Sequence, residues 1–347
     1  MYDIVVIGAG ASGLMTAANL PHKNICIIDT NSKIAQKIKI SGGGKCNITN
    51  KYLTSTKYLG DSEFINKTFK QFDNNNLLEF LHKNKVYPTL VEKIVKGTYF
   101  CNSSDDIIQM FKKLTKHCDF KLDTKVLDIS YDEHFIIDTN KTQIRAKKVI
   151  VSSGGLSYAT IGASKIGFDI AQKFNHTVSR LNSALVGFTV QKEQFWMKEL
   201  SGLSIDVKIT IDDKIIEGGM LFTHKGCSGP AILSASLYWQ KGLISIDFAP
   251  YKNSYLPKRF KKVIKELDID IHNYSFAPAG NFGYTKAEVT KGGVAIEDIK
   301  DSFESKLQKD LYFVGEVLDI TGELGGYNFQ WAFSSGYVCA KNIIGNN

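Results

Sequence analysis

The residues Ile4-Val5-Val6-Ile7-Gly8-Ala9-Gly10-Ala11-Ser12-Gly13 decide the fold. The apolar run predicts a buried strand, and it leads directly into the pattern Gly-x-Gly-x-x-Gly. In this pattern Gly8 allows a tight turn, Gly10 lets a pyrophosphate approach the backbone, and Gly13 lets the following helix pack closely on the sheet. The helix N-terminus then directs N–H groups and a partial positive charge at the phosphates. The stretch therefore predicts a dinucleotide-binding unit.

Two further features follow this unit along the chain. The apolar run Ile25-Cys26-Ile27-Ile28 predicts a second buried strand, and it ends on Asp29, 21 residues after Gly8. An acid at this position is suited to accept a hydrogen bond from a ribose hydroxyl, although an ordinary strand-end acid is the alternative. The sequence then enters the glycine-rich block Ser41-Gly42-Gly43-Gly44-Lys45-Cys46-Asn47-Ile48-Thr49-Asn50, where a nicotinamide dehydrogenase would continue with helix and strand.

Composition indicates a globular protein large enough for two domains. The chain has 347 residues, of which 43% are hydrophobic and 22% are charged. There is no apolar run of about 18 residues, and a predicted strand follows Met1-Tyr2-Asp3 directly. We therefore expect a soluble, cytoplasmic protein with no membrane partner.

Cysteine spacing and charge limit the kinds of site. The six cysteines form no Cys-x-x-Cys pair and no cluster with zinc spacing, so neither a dithiol centre nor a metal is expected. The net charge is +8, yet the longest basic runs are short, such as Lys258-Arg259 with Lys261-Lys262. We interpret these lysines as a solvated basic surface rather than a nucleic-acid site.

The order of predicted elements indicates a nucleotide-binding domain that is split by an insertion. Helical patterns cover residues 62–84, 105–117 and 164–174, and a β-hairpin is predicted over 124–138. From about residue 183 the pattern changes to alternating strands, with helices opening at Pro230 and over 256–267. The α/β pattern returns near residue 290 and ends in a helix over 329–344.

The C-terminal part favours FAD over NAD as the ligand. A predicted strand over 310–315 leads into Gly315-Glu316-Val317-Leu318-Asp319, and Gly325-Gly326-Tyr327-Asn328 precedes the last helix. One ligand that contacts residues 8–13, 41–49 and 315–330 needs both chain ends in one pocket, and extended FAD meets this requirement. N–H groups around Gly326, Tyr327 and Asn328 would then stabilise negative charge on a reduced flavin.

These blocks resemble the aminoacetone-oxidase-like family of NAD(P)/FAD-dependent flavoproteins. Further blocks of the resemblance are Gly154-Gly155-Leu156-Ser157-Tyr158, Leu221-Phe222-Thr223-His224 and Val289-Thr290-Lys291-Gly292-Gly293-Val294. It implies an α/β fold: a Rossmann-like FAD-binding domain of the glutathione-reductase type, interrupted by a β-barrel-like insertion with a small helical part. The FAD domain would comprise residues 1–182 and 291–347, and the insertion 183–290, with its helical part near 251–272.

The resemblance also implies redox chemistry on a small organic molecule. The reaction would be amine oxidation or double-bond reduction, with O2 or NAD(P)H as the other redox partner. The chain has Lys45 where the family usually has Arg, Asp29 where Glu is common, and a short helical part in its insertion. A flavin carries the hydride itself, so no protein nucleophile is required.

The predicted FAD-binding residues come from every glycine-rich block and the segments beside them. They are Gly8, Gly10, Ala11, Ser12, Gly13, Asp29, Lys37, Ser41, Gly42, Gly43, Gly44, Lys45, Cys46, Asn47, Thr49, Val126, Gly154, Gly315, Glu316, Asp319, Gly325, Gly326, Tyr327, Asn328 and Gln330. No catalytic residue is assigned. Lys45, Tyr158 and His224 are candidates, each with an ordinary structural role as its alternative, and a lone Cys46 is better explained by packing.

Three functions remain open on the sequence. The first is an FAD oxidoreductase for a small molecule. The second is a tRNA-modifying FAD protein, which the positive charge favours and the absence of an arginine-rich run or RNA-binding module disfavours. The third is a non-catalytic FAD-binding protein. No second Gly-x-Gly-x-x-Gly follows Gly154-Gly155, so any NAD(P)H would bind transiently beside the flavin. The substrate and the oligomeric state are not predicted.

Overall fold

The computed structural model describes residues 1–92 and 95–345, and the chain divides into two compact units. Within the described residues, the first unit contains 1–91, 97–182 and 290–345. The second unit contains 183–289 together with Glu92 and residues 95–96. The first unit therefore holds both the first and the last described residues.

The bounds of the described elements are as follows. The strands are β1 Tyr2–Ile7, β2 Ile25–Ile28, β3 Asn47–Asn50, β4 Tyr58–Leu59, β5 Thr89–Val91, β6 Thr98–Phe100, β7 Asp119–Lys121, β8 Val126–Asp132, β9 His134–Thr139, β10 Gln143–Val151, β11 Asn182–Ala184, β12 Phe188–Val190, β13 Ser204–Ile211, β14 Lys214–Thr223, β15 Gly226–Ser228, β16 Ile244–Asp247, β17 Tyr274–Phe276, β18 Pro278–Asn281, β19 Val289–Lys291, β20 Leu311–Phe313 and β21 Thr321–Gly322. The helices are α1 Ala11–Ala18, α2 Gln36–Ile40, α3 Ser62–Gln71, α4 Asn74–Lys83, α5 Ser104–Leu114, α6 Ile166–Lys173, α7 Trp196–Glu199, α8 Pro230–Tyr238, α9 Lys258–Glu266 and α10 Tyr327–Gly345.

A mixed sheet with the order β7-β2-β1-β10-β9-β8 forms the centre of the first unit. β1 pairs in parallel with both β2 and β10, and β20 pairs in parallel with the last residues of β10. The hairpin of β8 and β9 pairs with the first residues of β10 in the antiparallel direction. Because β1, β2, β10 and β20 run the same way, the chain leaves all four at one edge of the sheet, where ligands of open α/β sheets bind.

The first and last helices of the first unit cross at a small residue. A Cβ atom added to Gly336 of α10 would lie 2.5 Å from the carbonyl oxygen of Ser12 and 3.0 Å from the Oγ1 of Thr16 in α1. Both Ser12 and Thr16 are buried. Only glycine therefore permits this contact between α1 and α10.

The second unit is an antiparallel sheet with the order β17-β16-β13-β14-β15-β12-β18. Its two edge strands, β17 and β18, are separated in sequence by Ala277 alone, so the sheet must curve until its edges approach each other. Its core is rich in fully buried aromatic side chains, among them Phe188, Phe222, Phe248 and Phe260. The fold is therefore a Rossmann-type domain with a β-barrel-like insertion, as the sequence predicted.

One local prediction is confirmed and another is refined. α8 begins at Pro230 in the first helical turn, where a missing N–H costs nothing. The helical pattern over 62–84 is two helices, because the side chain of Asp73 accepts the N–H of Asn76 in a capping box that starts α4.

Among the described residues there is no helix with both the length and the apolar character needed to cross a bilayer.

The contact between α1 and α10 predicts whether a substitution at Gly336 raises or lowers the free energy of unfolding. In an ordinary helix interior, Gly→Ala stabilises by about 1 kcal/mol. We expect Gly336→Ala to do the opposite and lower the free energy of unfolding by about 1 to 3 kcal/mol, because the methyl group meets the backbone of α1. Gly345→Ala is the matched control, since its Cβ would have no neighbour within 4 Å. Equal unfolding midpoints for the two variants in denaturant titrations would contradict this account of the helix crossing.

Candidate functional site

In the turn between β1 and α1, two glycines are packed too closely to carry a side chain, and a third has open space beside it. Gly8 has a φ of 110° and donates its N–H to Ile28 at 2.8 Å. A Cβ on Gly8 would lie 2.5 Å from the carbonyl oxygen of Ser152, and one on Gly13 would lie 2.2 Å from the carbonyl oxygen of Gly8. A Cβ on Gly10 would have nothing within 4 Å. The turn is thus packed on its inner side and leaves open space at Gly10, next to the uncapped start of α1.

Asp29 fastens this turn to the end of β2. One carboxylate oxygen accepts the N–H of Ala9 at 2.7 Å. The other accepts the backbone and side-chain N–H groups of Asn31, both at 2.8 Å. Each carboxylate oxygen has two lone pairs, so the half-buried group can still accept a hydroxyl.

The second glycine block forms a left-handed turn after α2. Gly42, Gly43 and Gly44 have φ values of 56°, 66° and 87°, and added Cβ atoms on Gly43 and Gly44 would have no neighbour within 4 Å. Lys45 is exposed, whereas Cys46 is fully buried. Burial raises the pKa of the Cys46 thiol to about 12, so the thiol stays protonated at neutral pH and acts as a packing group.

A charged pair lies where the chain leaves β10 and β20. Lys37 Nζ is 2.6 Å from Glu316 Oε2, and Glu316 Oε1 accepts the N–H of Thr290 at 2.9 Å. Gly154 is beside the same carboxylate, since its added Cβ would lie 3.9 Å from Oε2. The structure therefore brings together Lys37, Gly154 and Glu316 from three separate stretches of sequence.

Thr290 is a member of this cluster that the sequence analysis did not single out. Besides its N–H contact with Glu316, its Oγ1 accepts the N–H of Leu156 at 2.7 Å. It belongs to the block Val289-Thr290-Lys291-Gly292-Gly293-Val294, which carried part of the family resemblance but received no role. The glycines of that block are the sequence feature that could have pointed to Thr290 as a site residue.

The two chain ends meet at Gly315. Its added Cβ would lie 2.5 Å from the Oγ of Ser12, so the loop after β20 touches the start of α1. The N–H of Gly315 donates to Ser335 Oγ at 2.9 Å, and its carbonyl accepts the indole N–H of Trp331 at 3.1 Å. Gly315 is thus held between the first helix and the last one.

The start of α10 is held against β3 by buried polar groups. Asn50 Nδ2 donates to the carbonyl of Gly325 at 3.1 Å. The hydroxyl of Thr49 donates to Gln330 Oε1, and Gln330 Nε2 donates to Ser334 Oγ at 2.9 Å. Thr49 and Gln330 are fully buried, and their hydrogen bond to each other holds β3 and α10 together.

Other predicted residues near α10 also have structural partners. The side chain of Asn328 accepts the N–H of Gly322 and donates to its carbonyl, each at 2.8 Å. Tyr327 is buried, and its carbonyl accepts the hydroxyl of Tyr58 at 2.8 Å. Asp319 lies near Lys291. Burial lowers the pKa of Lys291 below its ordinary value, and the negative charge of Asp319 partly opposes this shift.

The remaining predicted residues lie at the following places in the first unit. Val126 is buried at the start of β8, Asn47 is half-buried at the start of β3, and the hydroxyl of Ser41 donates to Ile38. Ala11 opens α1 beside Gly10. Gly326 directly precedes α10.

The three catalytic candidates lie on three different segments of the chain. Tyr158 has a left-handed backbone, with φ 64°, and the carbonyl of Ile161 shortly after it accepts the side chain of Asn31 at 2.9 Å. This segment therefore lies beside Asp29, at the predicted ribose end. Lys45 belongs to the second glycine block, and His224 is exposed in the turn between β14 and β15 of the second unit.

A separate cavity lies between the segment after β2 and α5. Its volume is about 760 Å³, and no predicted site residue lines it. Lys33, Lys112 and Lys116 line it together with Lys39, which pairs with Asp105 at 2.7 Å.

Comparison with known proteins agrees with this geometry. The family described as HI0933-like protein Rossmann domain matches residues 2–342. A Haemophilus influenzae protein named ribosomal RNA dihydrouridine synthase is 35% identical over an alignment 398 positions long, which covers 98% of each chain. A Clostridium scindens protein named 3-dehydro-bile acid delta(4,6)-reductase is 26% identical, with 98% of each chain covered.

The solved structure of a 3-ketosteroid delta1-dehydrogenase from Sterolibacterium denitrificans shares the fold. Its TM-score is 0.57 at 10% identity, and the match covers 100% of both chains. None of these matches singles out aminoacetone oxidase, so the resemblance seen in the sequence holds at the level of the wider family. Because the family match spans almost the whole chain, this protein belongs to the HI0933-like family of Rossmann-domain proteins.

Proposed function

We propose that this protein is an FAD-dependent oxidoreductase that reduces a carbon–carbon double bond, with a uridine of ribosomal RNA as its substrate. The observation that carries the substrate is the 35% identity to a protein named ribosomal RNA dihydrouridine synthase over 98% of both chains. The sequence alone favoured a small-molecule reaction, and its RNA alternative was a tRNA-modifying FAD protein; the proposal here takes ribosomal RNA in place of tRNA. An RNA substrate of this kind would also place the protein in the cytoplasm.

The arrangement of the first unit supports FAD as the cofactor. Open space at Gly10, beside the uncapped start of α1, suits the close approach of a pyrophosphate. Asp29 stands at the end of β2, where a ribose hydroxyl would need an acceptor. Gly43 and Gly44 are also open, and Glu316 adds a carboxylate at the same sheet edge. These residues would hold an extended ligand along the carboxyl ends of β1, β2, β10 and β20.

The overall reaction would add two hydrogen atoms to the uracil ring. The C5–C6 double bond of uracil is conjugated with the C4 carbonyl, so a hydride adds to C6 and a proton to C5. When bound, FAD supplies the two-electron hydride chemistry. NAD(P)H is the proposed reductant, so that NAD(P)H, one proton and uridine give NAD(P)+ and dihydrouridine. This chain would bind the cofactor, orient the base and exclude water.

A small cyclic enone is a second candidate substrate. The 26% identity to a protein named 3-dehydro-bile acid delta(4,6)-reductase favours it. The chemistry is related, because a hydride again adds to a carbon–carbon double bond conjugated with a carbonyl. Amine oxidation with O2, the other reaction of the sequence-based hypothesis, has no such match among the relatives named above.

Product analysis tests the proposed function. Purified protein is incubated with NADPH and either unmodified ribosomal RNA transcript or isolated ribosomal subunits, and digested nucleosides are analysed by mass spectrometry. We expect dihydrouridine, two mass units heavier than uridine. Parallel reactions with a cyclic enone and NADPH, or with amines and O2, cover the other substrates. Absence of dihydrouridine from both RNA samples, while an enone or an amine is consumed, would refute the RNA assignment.

The open glycine gives a test of the cofactor site. We expect Gly10→Val to fold normally, because its Cβ meets no atom within 4 Å, and to weaken FAD binding by about tenfold or more, or about 1.4 kcal/mol. Flavin absorbance per protein and titration of the apoprotein measure the effect. Gly345→Val, also open but at the end of α10, should keep its flavin. A folded Gly10→Val protein with full flavin content would place the ligand elsewhere.

A further inference from the structure

We infer that helix α9 of the second unit is a docking surface for the phosphate backbone of RNA. The inference deepens the proposed function and rests on its RNA substrate. It starts from the basic residues over 258–265, which the sequence analysis interpreted as a solvated surface.

One face of α9 is fixed in the core of the second unit. Phe260 is fully buried and packs against Phe222 and Phe248, with ring centroids 5.9 and 5.3 Å apart. Val263 and Ile264 are partly buried against the same core. The helix is therefore held in a fixed orientation by its apolar residues.

The opposite face of α9 is a row of exposed cations. Lys258, Lys261, Lys262 and Lys265 have the spacing i, i+3, i+4 and i+7, which places them on one side of a helix, and all four are exposed. Among the described residues, these four lysines make one ion pair, the long contact of 3.8 Å between Lys262 and Glu266. The row thus carries more positive charge than its one carboxylate partner neutralises. We call it the α9 lysine row.

Charge is concentrated around this row. Residues 251–267 contain six basic residues and one acidic residue, which gives a net charge of +5, compared with +8 for the whole chain. Tyr251 and Tyr255 precede the helix and are 48% and 79% exposed. Cations that neutralise phosphates, together with exposed aromatic rings that stack on bases, are the combination that binds single-stranded or irregular RNA.

The same observations favour RNA over a membrane surface. A helix that lies in a bilayer interface needs a free apolar face beneath its cationic face. In α9 that apolar face is already used, because Phe260, Val263 and Ile264 pack into the unit. Leu267, which is 50% exposed, is a single apolar side chain beyond the helix end and forms no stripe. What remains exposed along the helix is charge, which matches a polyphosphate backbone.

A charge-reversal pair tests the docking surface in the full-length holoprotein. The test variant is Lys261→Glu with Lys265→Glu, and the control is Lys192→Glu with Lys241→Glu, two exposed lysines of the same unit. Both variants change the net charge equally. Binding of a labelled ribosomal RNA fragment is measured by fluorescence anisotropy over a series of salt concentrations, after flavin content and unfolding midpoint confirm that each variant is folded.

We expect the test variant to bind RNA about tenfold or more weakly at low salt. Its slope of log affinity against log salt should fall by about 1.4 to 1.8, because each of the two lost phosphate contacts removes about 0.7 to 0.9. In the reduction assay its KM for RNA should rise while kcat stays unchanged. The control should keep the wild-type affinity and slope.

The two readouts separate this inference from the proposed function. If wild-type protein reduces RNA and the test variant matches the control in KM, affinity and slope, the α9 docking surface is wrong and the function stands. If wild-type protein binds RNA through α9 but forms no dihydrouridine, the surface stands and the function is wrong. Vesicles of phosphatidylcholine with phosphatidylserine are tested in parallel; α9-dependent binding to vesicles together with α9-independent binding to RNA would overturn the inference.

Discussion

The first unit depends on backbone segments that meet where no side chain fits. The turn after β1 lies against Ser152 at the end of β10, and the loop after β20 lies against Ser12 at the start of α1. Added Cβ atoms on Gly8 and Gly315 would each come within 2.5 Å of another atom. Forcing atoms into such packed positions costs about 1 to 3 kcal/mol and displaces the backbone. These contacts align the ends of three parallel strands, and the candidate cofactor site follows from that alignment.

Much of the fold could be predicted because its signals are local. An apolar strand running into Gly8, Gly10 and Gly13 specifies strand, turn and helix within ten residues, and alternation over residues 205–211 specifies the insertion strands. The side-chain partners could not be predicted in the same way. Thr49 and Gln330 bond each other across 281 positions of sequence, so nothing near either residue distinguishes a ligand contact from an internal one.

The distribution of charge shows the same difference between sequence and structure. Along the chain the basic runs are short and interrupted by apolar residues, which is why they were interpreted as solvated surface. The helical period of α9 separates the two kinds of residue: Phe260 and its apolar neighbours enter the core, and the α9 lysine row faces out. A polar surface that is dispersed in sequence thus becomes contiguous on a helix. The structure of the helix, more than its composition, supports a role in RNA binding.

We propose that segments from both ends of the chain build one cradle for an extended dinucleotide. Titration of the apoprotein with FAD and with FMN tests it most directly, because FMN lacks the adenosine and the second phosphate that the turn at Gly10 and the acid Asp29 are placed to hold. We expect one FAD bound per chain, and FMN bound at least about tenfold more weakly. Equal affinity for FMN and FAD, or no binding of either flavin, would contradict it.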